Sequence, residues 1–149
     1  MALNEQDWAI RLHVYRFFVE NERPPTFEET AAHFNLTPEA ARLAYHRLHD
    51  GHAFFLHPGS DRIRMANPLS AVETPFVVRV NGKRLYANCA WDTLGIPAML
   101  HADAQIEAMY SPSGERVTYT IESGKLIAPD VLIHFALPFR HWYDDLVHT

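Results

Sequence analysis

The sequence predicts an α+β fold, and three features carry that reading. Helix signatures with their caps fill the stretch before residue 51. An Asn81-Gly82 dipeptide sits between two apolar strands. Alternating apolar segments follow from there towards the C-terminus. The expected architecture is an N-terminal three-helix domain with a hairpin over residues 1–70, then a mostly antiparallel β-sheet domain with short helices over residues 71–149. The divider is Asn67-Pro68-Leu69-Ser70, followed by Thr74-Pro75, which reads as a short linker because proline restricts itself and its predecessor.

In the first helix, Trp8, Leu12, Tyr15 and Val19 recur at steps of four, three and four and define an inner face. Pro24-Pro25 ends it. Thr26 opens the second helix, where Glu29 completes a capping-box pattern and Phe27, Ala31 and Phe34 face inward. Thr37 caps the third helix with Pro38 at its first position. Ala41, Ala44, Tyr45 and Leu48 face inward there, and Gly51 closes it. Phe54-Phe55-Leu56 and Ile63-Arg64-Met65 make two strands around His57-Pro58-Gly59-Ser60-Asp61. Three helices and a hairpin in this order predict a winged-helix-like domain.

In the second half, Phe76–Val80 and Lys83–Tyr86 flank Asn81-Gly82. Ala104–Tyr110 and Arg116–Ile121 form further strands, turned by Ser111-Pro112-Ser113-Gly114, with Val117, Tyr119 and Ile121 on one face. Glu122–Lys125 turns the chain again. Val131–Leu137 reads as a buried strand, and Trp142–Val147 as the start of a helix or strand.

Composition narrows the function. Apolar residues make up 48% and charged residues 21%, as expected of a globular chain. The formal charge of −5 argues against a protein that coats nucleic acid. A DNA-reading third helix would present Glu39, Arg42, His46 and His49, a poor set for phosphates, so DNA is the weaker expectation and a packing module the stronger. No apolar run is long enough to span a membrane, and Met1–Asp7 lacks a signal pattern, so the cytoplasm is the expected compartment. The single cysteine excludes an internal disulfide. His46, His49 and His52 lack a partner at convincing metal spacing, and His134, His141 and His148 lie seven apart without a motif. No cofactor is expected.

Chemistry concentrates in Cys89-Ala90-Trp91-Asp92-Thr93-Leu94. A helix beginning here places Cys89 in its first turn, where backbone N–H groups favour a thiolate. Asp92, three residues on, shares its face. The carboxylate raises the thiol pKa by repulsion, yet it can accept the thiol proton and return it. Sulfur is also the preferred ligand of soft metals. A small buried residue beside a helix-start cap has the same spacing, so spacing alone leaves both readings open. Trp91 and Tyr86 flank the cysteine, as core or as walls of an apolar pocket.

The block from Asn81 to Leu94, with Ile96-Pro97 after it, resembles the core signature of the organomercurial (alkylmercury) lyases. The likeness continues more loosely through Ala104-Gln105-Ile106 and Ser111-Pro112-Ser113-Gly114, and members of that family also begin with a winged-helix-like domain. The resemblance implies protonolysis of a carbon–mercury bond. Cys89 would be the thiol nucleophile and ligand of the substrate mercury, and Asp92 the proton relay and a third ligand. The implied partners are an organomercurial substrate, external thiols as co-substrate, and a thiol or mercuric reductase that accepts Hg(II). The family's second cysteine is expected beyond a segment like Trp142-Tyr143-Asp144-Asp145, and this chain has no substitute for it. Tyr110 stands where some members carry a further cysteine. Two explanations compete: a truncated lyase, or a short member with weakened chemistry. The alternative function is a non-catalytic winged-helix regulator or soft-metal, thiol-sensing module derived from the same family.

Overall fold

The computed structural model describes residues 3–109, 113–135 and 137–144. Helices α1 (Glu5–Asn21), α2 (Phe27–Phe34) and α3 (Pro38–Asp50) come first, followed by strands β1 (Phe55–Leu56), β2 (Ile63–Ala66) and β3 (Leu69–Ser70). The hairpin β4 (Val77–Val80) and β5 (Lys83–Ala87) leads into helix α4 (Ala90–Leu100). Strands β6 (Ala104–Met109), β7 (Arg116–Glu122) and β8 (Lys125–Ile127) follow, then a 3-10 turn over Phe139–His141. All eight strands form one sheet in the order β1-β2-β3-β5-β4-β6-β7-β8, with every neighbouring pair antiparallel. The α+β class and the helix-then-sheet order are those the sequence predicts.

Local chemistry explains most boundaries. Thr26 and Glu29 form the reciprocal capping box at α2, and the Thr37 side chain caps α3 ahead of Pro38. Asn81 and Gly82 both take positive φ, which matches the two-residue turn that the right-handed twist of a hairpin favours. One core joins the two halves of the chain: Ile10, Val14 and Phe18 of α1, Tyr45 and Leu48 of α3, Val78, Leu85 and Ile106 of the sheet, and Ile96 of α4. Helix α4 lies across β4, β5 and β6, while α1 reaches β5.

Three expectations are corrected. The buried face of α1 is Asp7, Ile10, Val14 and Phe18, not Trp8 and Leu12, which are half-exposed. Tyr15 and Val19 pack only at the margin of the core. Helix α1 carries apolar side chains nearly all round, so periodicity does not single out one face. Asp7 takes its inward place because Arg47 of α3 pairs with it at 2.7 Å. Second, Leu69-Ser70 is not linker. It is strand β3, paired with Ala66 and Met65 on one side and with Ala87 and Tyr86 on the other. Third, residues 131–135 form no strand, and Leu132 is 88% exposed. Strand β8 ends the sheet instead, and the apolar run lies beside it along a groove of about 340 Å³ that Val131, Leu132 and Ile133 share with Leu94 and Met109. Tyr110, Ser111, Pro112 and the end of the Trp142–Val147 segment fall outside the described residues, as does His148.

Candidate functional site

The site is built where β5 hands over to α4. Strand β5 ends at Ala87, and Asn88 carries the chain to Cys89, whose extended backbone (φ −151°, ψ 177°) makes it the residue that precedes the first helical turn. Asp92 stands in that turn. Thr93 fixes the helix from beneath: its hydroxyl donates to the Ala90 carbonyl at 2.5 Å and meets the Tyr119 hydroxyl of β7 at 2.6 Å. On the other side, α4 approaches the β2–β3 turn closely. A Cβ added at Gly95 would lie 3.1 Å from Cβ of Pro68, so glycine permits this contact.

Cys89 and Asp92 come together as the spacing predicts. They share a pocket of about 70 Å³. Asn88, Asn67 and Met65 line it together with Trp91, Phe135 and Trp142, whose rings form an aromatic wall. The wall is continuous: Trp91 meets Phe135 edge-on at 6.0 Å, and Phe135 stacks on Trp142 at 5.3 Å. Trp142 Nε1 donates to the Leu137 carbonyl at 3.0 Å. Both Cys89 and Asp92 are partly exposed, so the sulfur is neither sealed away nor fully in water.

Burial, and then the charge of Asp92, push the Cys89 thiol above its ordinary value. The N–H groups of Asp92 and Trp91 pull the other way but do not outweigh burial and the Asp92 charge. The helix start therefore does not by itself make a thiolate; the net push on the Cys89 thiol is upward. Burial also raises the Asp92 carboxyl above the usual carboxylate range, against the opposing pull of Asn88 and of Cys89. The pair thus combines a soft nucleophile with a carboxyl group, each holding a proton more firmly than usual.

Other predicted residues go elsewhere. Tyr86 does not line the pocket; its ring lies under the Arg84 guanidinium at 4.7 Å and its hydroxyl accepts from it. Arg42, on the outward row of α3, is held between Glu39 at 2.7 Å and Asp61 at 3.6 Å, and His46 binds Asp61 at 2.6 Å. The His49 ring accepts from the Leu56 N–H, and His52 stacks on Tyr143 at 4.3 Å. His134 is exposed, and His141 binds Asp144. No group of three or more metal-ligating side chains occurs among the described residues. Sequence reasoning gave Asn88 no role, although it lies inside the quoted block, and it did not bring Met65, Asn67, Phe135 or Trp142 to the cysteine. Those approaches depend on long-range packing that local pattern does not encode.

Known proteins share this arrangement of chain. The family model described as alkylmercury lyase matches residues 69–147. An alkylmercury lyase of Pseudomonas putida is 40% identical over 53 residues, which is 36% of this chain and 25% of that protein. Another from Staphylococcus epidermidis is 37% identical over 60 residues, 40% of this chain and 28% of that protein. The chain therefore spans little more than a quarter of the curated relatives it matches. The crystal structure of the mercury-bound form of MerB2 superposes with a TM-score of 0.69 at 22% identity, covering 84% of this chain and 60% of that one. The likeness in fold runs through the helical half as well as the sheet, and the family match takes in more than half of the residues, including both members of the pair in the pocket: the chain belongs to the alkylmercury lyase family.

Proposed function

We propose that this protein cleaves carbon–mercury bonds by protonolysis, with Cys89 as ligand of the substrate mercury and Asp92 as proton relay. The observation that carries this reading is the pairing of a thiol with a partly buried carboxyl of raised pKa in one small pocket beside an aromatic wall. As an organomercurial enters, the Cys89 sulfur forms a bond to mercury and its proton passes to Asp92. Asp92 then gives that proton to the carbon as the carbon–mercury bond breaks, its electron pair staying with carbon. The products are a hydrocarbon and mercury on Cys89. External thiols exchange the metal off, return a proton to the sulfur, and pass Hg(II) on to a thiol carrier or a mercuric reductase. Partial burial supports the relay, because a carboxyl with a raised pKa is a better acid near neutrality. The aromatic wall supports an apolar organic group and limits water. The reading places the reaction in the cytoplasm; no helix among the described residues is long and apolar enough to cross a membrane.

Incubation with methylmercury or phenylmercury and excess thiol, followed by headspace analysis for methane or benzene, tests this reading. Release by the wild type and its loss in Cys89→Ser with the fold intact is the expected result. No release by the wild type, or undiminished release by Cys89→Ser, overturns it. One observation favours a second reading, a thiol-based sensor: the sequence offers a single sulfur of cysteine, whereas mercury prefers two. That reading expects tight mercury binding and salt-sensitive DNA binding without hydrocarbon.

A further inference from the structure

We propose that Asn88 is the positioning residue of this site, holding the Asp92 carboxylate against Cys89 by tying it to the Asn67–Leu69 turn. The inference rests on the reading of Cys89 and Asp92 as the reacting pair. It starts from how one side-chain amide is placed. Nδ2 of Asn88 lies 3.1 Å from Asp92 Oδ2, 3.1 Å from Asn67 Oδ1, 3.3 Å from the Pro68 carbonyl and 3.5 Å from the Leu69 carbonyl. Its own Oδ1 is buried without a hydrogen-bond partner. Turning the amide over would set that oxygen against four others, so the surroundings fix its orientation.

The two N–H groups of Asn88 therefore bridge two separate pieces of chain. One is the first turn of α4, which carries Asp92. The other is the turn between β2 and β3, which is anchored in turn to α1, because the Tyr15 hydroxyl donates to the Asn67 carbonyl at 2.8 Å and Arg11 donates to the Tyr15 hydroxyl at 3.2 Å. A carboxylate bound on one oxygen keeps the other free to face the sulfur.

Because Cys89 is the chain's single cysteine, the pH dependence of its alkylation by iodoacetamide reads the pair directly. The experiment uses the full chain as wild type, Asn88→Ala, Asp92→Asn and the double variant. An ionised Asp92 held beside the sulfur keeps the thiol midpoint high, so Asn88→Ala lowers the midpoint by about half a pH unit, towards that of Asp92→Asn. In the Asp92→Asn background the same change moves nothing further, which is the signature of action through Asp92. An unchanged midpoint in Asn88→Ala, or an equal shift in both backgrounds as from a general loosening of the turn, overturns the proposal. Should the alanine variant melt early, Asn88→Ser, too short to reach Asp92, repeats the measurement. Hydrocarbon release is assayed in parallel. Its absence in the wild type sinks the lyase reading, while the alkylation cycle still decides whether Asn88 acts through Asp92.

Discussion

The hydroxyl of Thr93, in the turn that carries Asp92, lies 2.6 Å from the hydroxyl of Tyr119, and both side chains are buried. This contact seats the first turn of α4 on β7, two strands away from the hairpin that leads into the helix. Tyr119→Phe removes one hydroxyl and leaves Thr93 bonded to the Ala90 carbonyl. The expected cost is about 1 kcal/mol, a fall in melting temperature of roughly 3 °C for a chain of this size. Thermal denaturation followed by circular dichroism measures it. An unchanged melting point would mean that the helix is seated by its apolar contacts alone.

Acid should weaken the fold through Asp7. This carboxylate is fully buried. Burial, the largest single influence, pushes its pKa up, but the Arg47 guanidinium and the Asn4 N–H together outweigh it and leave the value below the usual range. A depressed folded pKa means stability that is complete above the unfolded value near 4 and is lost as pH falls through the folded one. Melting temperature should therefore drop as pH falls below about 4. Asp7→Asn keeps an acceptor for Asn4 but leaves Arg47 unpaired, at a cost of about 2 kcal/mol at neutral pH because Arg47 is partly solvated, and it flattens the acid limb. An equally steep limb in the variant would assign the acid sensitivity to other carboxylates.

Much of this architecture was legible where local chemistry decides. Thr26 with Glu29, Thr37 with Pro38, and Asn81-Gly82 each satisfy or bend the backbone through neighbours in sequence, and each does so in the structure. Legibility fails where partners are distant. The inner face of α1 is not legible because its apolar residues surround the helix, and the choice between rows is made by α3 and the sheet. Strand β3 is not legible because two residues after Asn67-Pro68 look like the end of a break, and only pairing with β2 and β5 makes them strand. Cys89 and Asp92 were legible because a helical turn brings residues three apart onto one face. The aromatic wall is not, because Phe135 and Trp142 lie far along the chain from Cys89 and no local pattern brings them to it.

Asp92 sets two properties of Cys89 in opposite directions, so Asp92→Asn should separate them. Removing the charge lowers the thiol pKa, and alkylation of Cys89 at pH 7.5 becomes faster. The proposed proton relay is lost at the same time. General acid catalysis is commonly worth at least about 100-fold, so hydrocarbon release from methylmercury should fall by that order. A sulfur that reacts faster while turnover collapses is hard to obtain from a damaged fold. If release keeps pace with thiol reactivity, Asp92 is not the proton carrier.

Trp142 lines the pocket as the last ring of the aromatic wall, and its removal should change access more than chemistry. Its ring stacks on Phe135, which in turn meets Trp91. An aromatic contact of this kind is worth about 1 kcal/mol, so Trp142→Ala should let the wall open about fivefold more often. A bulky maleimide, which needs the open form, should then modify Cys89 about fivefold faster, by the same 1 kcal/mol. Iodoacetamide is small enough to enter the closed pocket and should gain little. The ratio of the two rates, measured at one pH, isolates the gate from any shift in thiol pKa. Equal acceleration of both reagents would point instead to a change at the sulfur, and no acceleration of either would show that the wall does not limit entry.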